Sequence, residues 1–307
     1  MSKELTIAML QIPFTGSMLD SNLENRKEQS RNYIKMYIEN ISLLHPNVDM
    51  IVLPELSLVG VDLLRWKESA ETIPGKTSNL MAEMARKYNK WIVAGSMFEI
   101  TEDGESAYNT CLVFNPEGEI VCKYRKVFIP FPLEPSRPGN DFPVFDIPGK
   151  GRVAVCICAD IMVPEIIRNF VFNGAELLIK PTLQAIWIGN KRMHETICTT
   201  RAMENQCYLV AVNSPAPQGM GNSCAFDPEG RTMEILGECE GYSLITVDFE
   251  KVHTVRTKGS CEGTFQFLNL LKDYKNIGVP VDKCYQNGFE NTYLYKEVLK
   301  KSAFENR

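Results

Sequence analysis

Residues Val153–Glu165, reading VAVCICADIMVPE, decide the fold. Val153–Cys158 is a short apolar run rich in β-branched residues, the pattern of a strand buried on both faces. It ends at Ala159-Asp160. Pro164-Glu165 then opens a helical pattern through Ile166, Ile167, Phe170 and Val171, since proline is accommodated in a first helical turn. A buried strand feeding directly into a helix points to an α/β protein. A cysteine at that junction meets free backbone N–H groups and the positive end of a helix dipole, which favour a thiolate. Cys158 is therefore a candidate nucleophile, and Cys156, two residues earlier, is the internal comparison that nothing singles out for chemistry.

Working outward, Leu5–Ile12 reads as the first strand. A helix follows, capped by Asp20 or Ser21, with Ile34, Tyr37, Ile38, Ile41 and Leu44 on its apolar face; His45-Pro46-Asn47 stops it. Met50–Leu53 is the next buried strand, with Pro54-Glu55 at its C-terminal end, where catalytic groups collect in α/β folds. Glu55 is thus either a site residue or a solvated loop carboxylate. Ser78–Tyr88 reads as a helix and Trp91–Met97 as a strand. Asn109–Phe114 and Glu119–Tyr124 form a hairpin closed by Asn115-Pro116-Glu117-Gly118, where proline fixes φ and glycine takes the left-handed position. The same device recurs at Asp227-Pro228-Glu229-Gly230, after the strand Ser223–Phe226. Each turn trails a helix-then-strand segment, Ser78–Met97 and Lys191–Asn213, which predicts two similarly built halves. Between them runs a proline-dense loop, Leu133–Gly149, holding Glu134. Gly174–Lys180, Cys207–Asn213 and Ser243–Phe249 are further strands, and Lys191–Gln206 a helix. Residues 1–255 are expected to form one domain. Residues 256–307, whose aromatics are scattered from about Gly259 on, are expected to pack on that domain or on a neighbouring subunit.

Composition narrows the function classes. With 44% hydrophobic and 23% charged residues in 307, the chain is of the globular class. A net charge of −5 gives no attraction for nucleic acid or anionic membrane. No apolar run reaches spanning length, and Leu5–Phe14 is broken by Gln11 and Pro13, so it reads as a strand and not a signal peptide; a reducing cytoplasm is expected. The ten cysteines are scattered, and only His45, His194 and His253 could join them, so neither a disulfide framework nor a metal site is expected. There is no GxSxG elbow and no histidine placed as a base. A nucleophilic Cys158 would pass its proton to a carboxylate, and Lys126, before the apolar run of KYRKVFIP, is the cation most readily drawn inside.

VLPE at 52–55, KYRK at 123–126 and ICAD…PE at 157–165, in that order, resemble the nitrilase superfamily of carbon–nitrogen hydrolases. The resemblance runs from about Thr6 to Phe249 and takes in Gln11, Tyr108-Asn109-Thr110 and Gly174-Ala175-Glu176. It implies an α-β-β-α sandwich of two similar halves. It also implies a triad of Glu55 as general base, Lys126 as cation and Cys158 as nucleophile, with Glu134 as a second glutamate. The implied reaction cleaves the C–N bond of a small amide to acid and ammonia through a cysteine thioester, without cofactor or metal, in a homodimer or larger homo-oligomer. The sequence is most similar to the aliphatic amidase and formamidase branch. Leu56 stands where that branch has tyrosine, Phe131 where it carries tryptophan, and Ala159 replaces a polar residue. With Thr182, these are the expected substrate-binding residues, and they imply a more apolar pocket or a larger acyl group. The alternatives are an N-carbamoyl compound, an ω-amide or a nitrile on the same triad, or a silent binding or scaffold subunit. Arg137 and Lys180 are the basic residues that a carboxylated substrate would call on.

Overall fold

Strand β1 (Glu4–Gln11) buries both of its faces, and that fact dictates layers. Leu5, Ile7 and Met9 enter one core while Ala8 and Leu10 enter another. An element apolar on both sides must be covered on both sides. The structure is a computed structural model that describes residues 3–14, 22–57, 65–130, 133–185, 190–264 and 267–268.

In chain order the first half comprises β1, α1 (Leu23–Leu44), β2 (Met50–Val52), the short α2 (Trp66–Ser69) and α3 (Lys76–Tyr88). β3 (Trp91–Val93), β4 (Met97–Ile100), β5 (Ala107–Phe114) and β6 (Ile120–Arg125) complete it. The second half runs β7 (Val144–Ile147), β8 (Gly151–Val155), α4 (Pro164–Phe172), β9 (Leu177–Thr182), α5 (Lys191–Asn205) and β10 (Tyr208–Asn213). It ends with β11 (Cys224–Phe226) and β12 (Thr232–Ile235), followed by β13 (Gly241–Asp248) and α6 (Phe249–Lys258). In the first sheet β1, β2 and β3 are parallel and β5 and β6 add antiparallel; in the second β8, β9 and β10 are parallel and β11 and β12 add antiparallel. β13 flanks β1 and β7 flanks β8, both antiparallel. The two halves are thus the same winding, and the paired Pro-Glu-Gly turns join the same strands in each, β5 to β6 and β11 to β12. One core lies between the sheets and extends to α4 and α5, through Ile167, Phe170, Cys198 and Ala202. The other lies between the first sheet and α1 and α3, through Ile34, Ile38, Ile41, Met81 and Met84. The expected four-layer sandwich is the observed one.

Local differences have physical reasons. The cap of α1 is Asn22, whose Oδ1 accepts from Glu24 N and Asn25 N; the expected caps Asp20 and Ser21 lie outside the described residues. Trp91–Met97 is not one strand, because Gly95 takes φ +64° and separates β3 from β4. The run Val153–Cys158 is ladder only to Val155. Cys156 still donates to Ile179 O, and Cys158 leaves the strand at φ +46° to open a 3₁₀ turn, Cys158–Met162. β7 forms inside the stretch expected as loop, pairing with β8. Among the described residues no helix is long and apolar enough to cross a membrane. Of the expected extension 256–307, residues 265–266 and 269–307 lie outside the described residues.

Candidate functional site

Three strand ends converge at one edge of the sheets. Glu55 follows β2, Lys126 follows β6, and Cys158 opens the turn after β8. The backbone at two of these points is left-handed: Leu56 has φ +55° and Cys158 φ +46°. Such conformations carry about 1–3 kcal/mol of strain in a non-glycine residue and persist where surrounding contacts fix them. Gly95 supplies one of those contacts by close approach, since a Cβ there would lie 2.0 Å from Pro54 O. The loop carrying Glu55 therefore packs directly on a glycine backbone.

The Lys126 ammonium is 1% exposed and donates to Glu55 Oε1 at 2.9 Å and Glu134 Oε2 at 2.5 Å. Burial opposes its charge, yet the two carboxylates outweigh that and hold its pKa well above the usual 10.5. Burial likewise opposes the Glu55 carboxylate. Lys126, with hydrogen bonds from Cys158 and the Leu183 N–H, outweighs it and holds the Glu55 pKa below 4.5. The Leu183 bond, 2.7 Å to Oε2, fixes the second oxygen. Cys158 differs from its predicted state. The sequence suggests a thiolate, but burial and the Glu55 charge push the thiol up to about 11 against Lys126 and Lys180. The resting site is an ammonium, two carboxylates and a neutral thiol. Cys158 is half-buried, whereas Cys156 is fully enclosed.

The expected substrate-binding residues are placed as follows. Leu56 is buried and its N–H donates to Ser96 Oγ at 3.1 Å; Ala159 is half-buried beside the sulfur. The Thr182 hydroxyl lies against Cys158 and has no other partner among the described residues. Phe131 lies outside the described residues. Arg137 is not at the site, for its guanidinium turns outward to Asp103 at 2.9 Å.

Two further residues organise the cluster. Asn109 Nδ2 donates to Glu55 Oε1 and Glu134 Oε1, both at 2.9 Å, so one amide bridges two anions. Its signal was the polar pair Asn109-Thr110 in AYNTCLVF, both fully buried on a strand otherwise largely apolar inside. Asp160 ties the cysteine turn to the lysine segment. It accepts from Ile157 N at 2.9 Å, Phe128 N at 2.8 Å and Tyr124 Oη at 2.7 Å, while burial pushes it up to about 6. No spacing rule announces either role, because the partners are 25 to 54 residues away from Asn109 and 32 to 36 from Asp160 on the lysine side.

Residues 6–257 match the family described as carbon–nitrogen hydrolase. A formamidase of Bacillus thuringiensis is 31% identical over 230 residues, 72% of this chain and 67% of that one. A formamidase of Bacillus cereus is 33% identical over 213 residues, 66% of this chain and 62% of that one. The chain thus spans 62–67% of the length of these relatives. Among solved structures, Nit3 of Saccharomyces cerevisiae, a member of branch 10 of the nitrilase superfamily, superposes with a TM-score of 0.74 at 23% identity, over 84% of this chain and 95% of that one. At that identity the likeness is one of fold.

Proposed function

Because the chain belongs to the carbon–nitrogen hydrolase family, we propose that the Glu55, Lys126 and Cys158 site hydrolyses a small linear amide to a carboxylic acid and ammonia. The observation that carries the reading is the fully buried Lys126 ammonium clamped by two carboxylates beside Cys158, which leaves its strand half-buried. In this reading Glu55 takes the thiol proton as sulfur attacks the amide carbon. The Lys126 ammonium and the Ala159 N–H, in a first turn where backbone donors lack helical partners, hold the developing oxyanion. The proton on Glu55 then passes to the departing nitrogen, leaving a thioester. Glu55 next deprotonates water, which attacks that thioester, and the same proton returns to sulfur as the acid departs. Glu134, bonded to Lys126 and Asn109, keeps the ammonium in place.

The test is ammonia release across aliphatic amides, N-carbamoyl compounds and nitriles, read for wild type and for Cys158→Ala. The expected result is turnover of at least one amide by wild type and none by the variant, with an unchanged circular dichroism spectrum. A fully active variant, or a wild type that releases no ammonia from the whole panel, overturns the reading. Turnover of carbamoyl or nitrile substrates alone would keep the nucleophile and reject the amide. Assembly into a homodimer or larger homo-oligomer is part of the same proposal. It is supported by apolar exposure on and beside α4, with Phe172 67% and Met162 45% exposed, and sedimentation velocity tests it.

A further inference from the structure

A second cluster of chemically active side chains lies between α5 and β11 and is not used by the reaction above. His194 and Cys198 sit four residues apart on one face of α5, and Cys224 begins β11 beneath them. A ring nitrogen of His194 and the two sulfurs all lie within 4.8 Å of one another, and the three residues are 2%, 0% and 0% exposed. His194 Nδ1 lies 2.9 Å from Gln184 Oε1 and 3.2 Å from Lys180 Nζ, while Nε2 is buried without a partner among the described residues. A buried imidazole nitrogen with nothing to bond is a standing energetic penalty that a ligand would remove. The sequence spacing gave no warning of this, since Cys224 comes 26 residues after Cys198.

We propose that His194, Cys198 and Cys224 form a binding site for a soft d¹⁰ metal ion, with monovalent copper favoured over zinc. Two sulfurs and an imidazole are the donor set such ions select. Metal–sulfur bonds of ~2.3 Å place the donors of a three-coordinate site ~4 Å apart, so the cluster needs to contract by less than about 1 Å. Charge and coordination number choose between the ions. The buried Lys180 ammonium, beside His194, adds one positive charge. Two thiolates, one Cu(I) and that ammonium sum to zero, whereas Zn(II) leaves a net positive charge buried. Glu195, half-buried at the rim, keeps its charge where solvent screens it and spends one oxygen on Asn222 at 2.8 Å, so it offsets that buried charge only weakly and is not counted as a ligand. Zinc also prefers a fourth ligand, and an enclosed site offers no open route for a water to supply it. The bound ion would pin α5 to β11 behind Thr182, the residue against the Cys158 sulfur.

The experiment titrates full-length Cys158→Ala protein, reduced and chelator-washed, with Cu(I) or Zn(II) under a competing chelator that strips exposed thiols. Bound metal, the ultraviolet thiolate-to-copper absorption and the melting temperature are read together. One equivalent of Cu(I) is expected, with a rise in melting temperature. Bound copper should fall at least tenfold in Cys198→Ser and in His194→Gln, the second keeping a polar side chain should the serine variant fold poorly. Copper retained undiminished in His194→Gln, or no retention above the chelator by the parent, overturns the site. Zinc held there in preference to copper overturns the charge argument. None of these readouts depends on the amidase reading.

Discussion

Replacing Glu55 by glutamine separates the two ways Cys158 could become nucleophilic. At about 11, the thiol is ionised to roughly one part in 10⁴ at pH 7, so a mechanism through free thiolate carries a penalty of about 5 kcal/mol. In the proposed mechanism Glu55, hydrogen-bonded to the thiol, removes that penalty by accepting the proton during attack. Glutamine cannot accept it. Lys126 keeps Glu134 at 2.5 Å, so the buried ammonium is not orphaned and the variant is expected to fold. The expected loss in kcat/KM at pH 7 is therefore about 10³- to 10⁴-fold, at the upper end of general-base effects. The same substitution deletes a negative charge that raises the thiol pKa, while Lys126 and Lys180 continue to lower it. Turnover must collapse while the sulfur titrates at lower pH than in wild type. The assay is coupled ammonia release for turnover, with iodoacetamide alkylation of Cys158 followed by peptide mass spectrometry from pH 6 to 11. An alkylation midpoint that moves up, or turnover within threefold of wild type, refutes the electrostatic account.

Asn109→Ala removes the neutral donor that both carboxylates share besides Lys126, so kcat should fall about 10- to 100-fold with KM little changed; steady-state kinetics against pH would also show the acid limb moving up as Glu55 loses a donor. Gly95→Ala places a Cβ 2.0 Å from Pro54 O at φ +64°, so the urea midpoint should drop by the equivalent of about 2 kcal/mol or more and activity should fall with it. The Glu55 pKa is lower folded than unfolded, so its contribution is present above 4.5 and disappears as pH falls through the folded value. Urea titrations from pH 6 down to 3 should show wild type losing more stability than Glu55→Gln; an equal loss would count against the ion pair.

The sequence by itself determined the layers and the winding. The run Val153–Val155, apolar on both faces, demands cover on both, and the two Pro-Glu-Gly turns mark equivalent hairpins; these are local patterns, legible because period and turn chemistry are short-range. Glu55, Lys126 and Cys158 were legible for a related reason: each sits at a strand end, and the order of their motifs resembles a known family. Tertiary structure alone decided the charge states. Whether Cys158 rests as thiol or thiolate depends on burial and on a carboxylate 103 positions earlier, and the dipole argument from the turn gave the opposite answer. The roles of Asn109 and Asp160 and the His194, Cys198 and Cys224 cluster emerged only there as well. Hydrogen bonds and through-space charge join residues by distance in the folded chain, and a linear pattern carries no record of that distance.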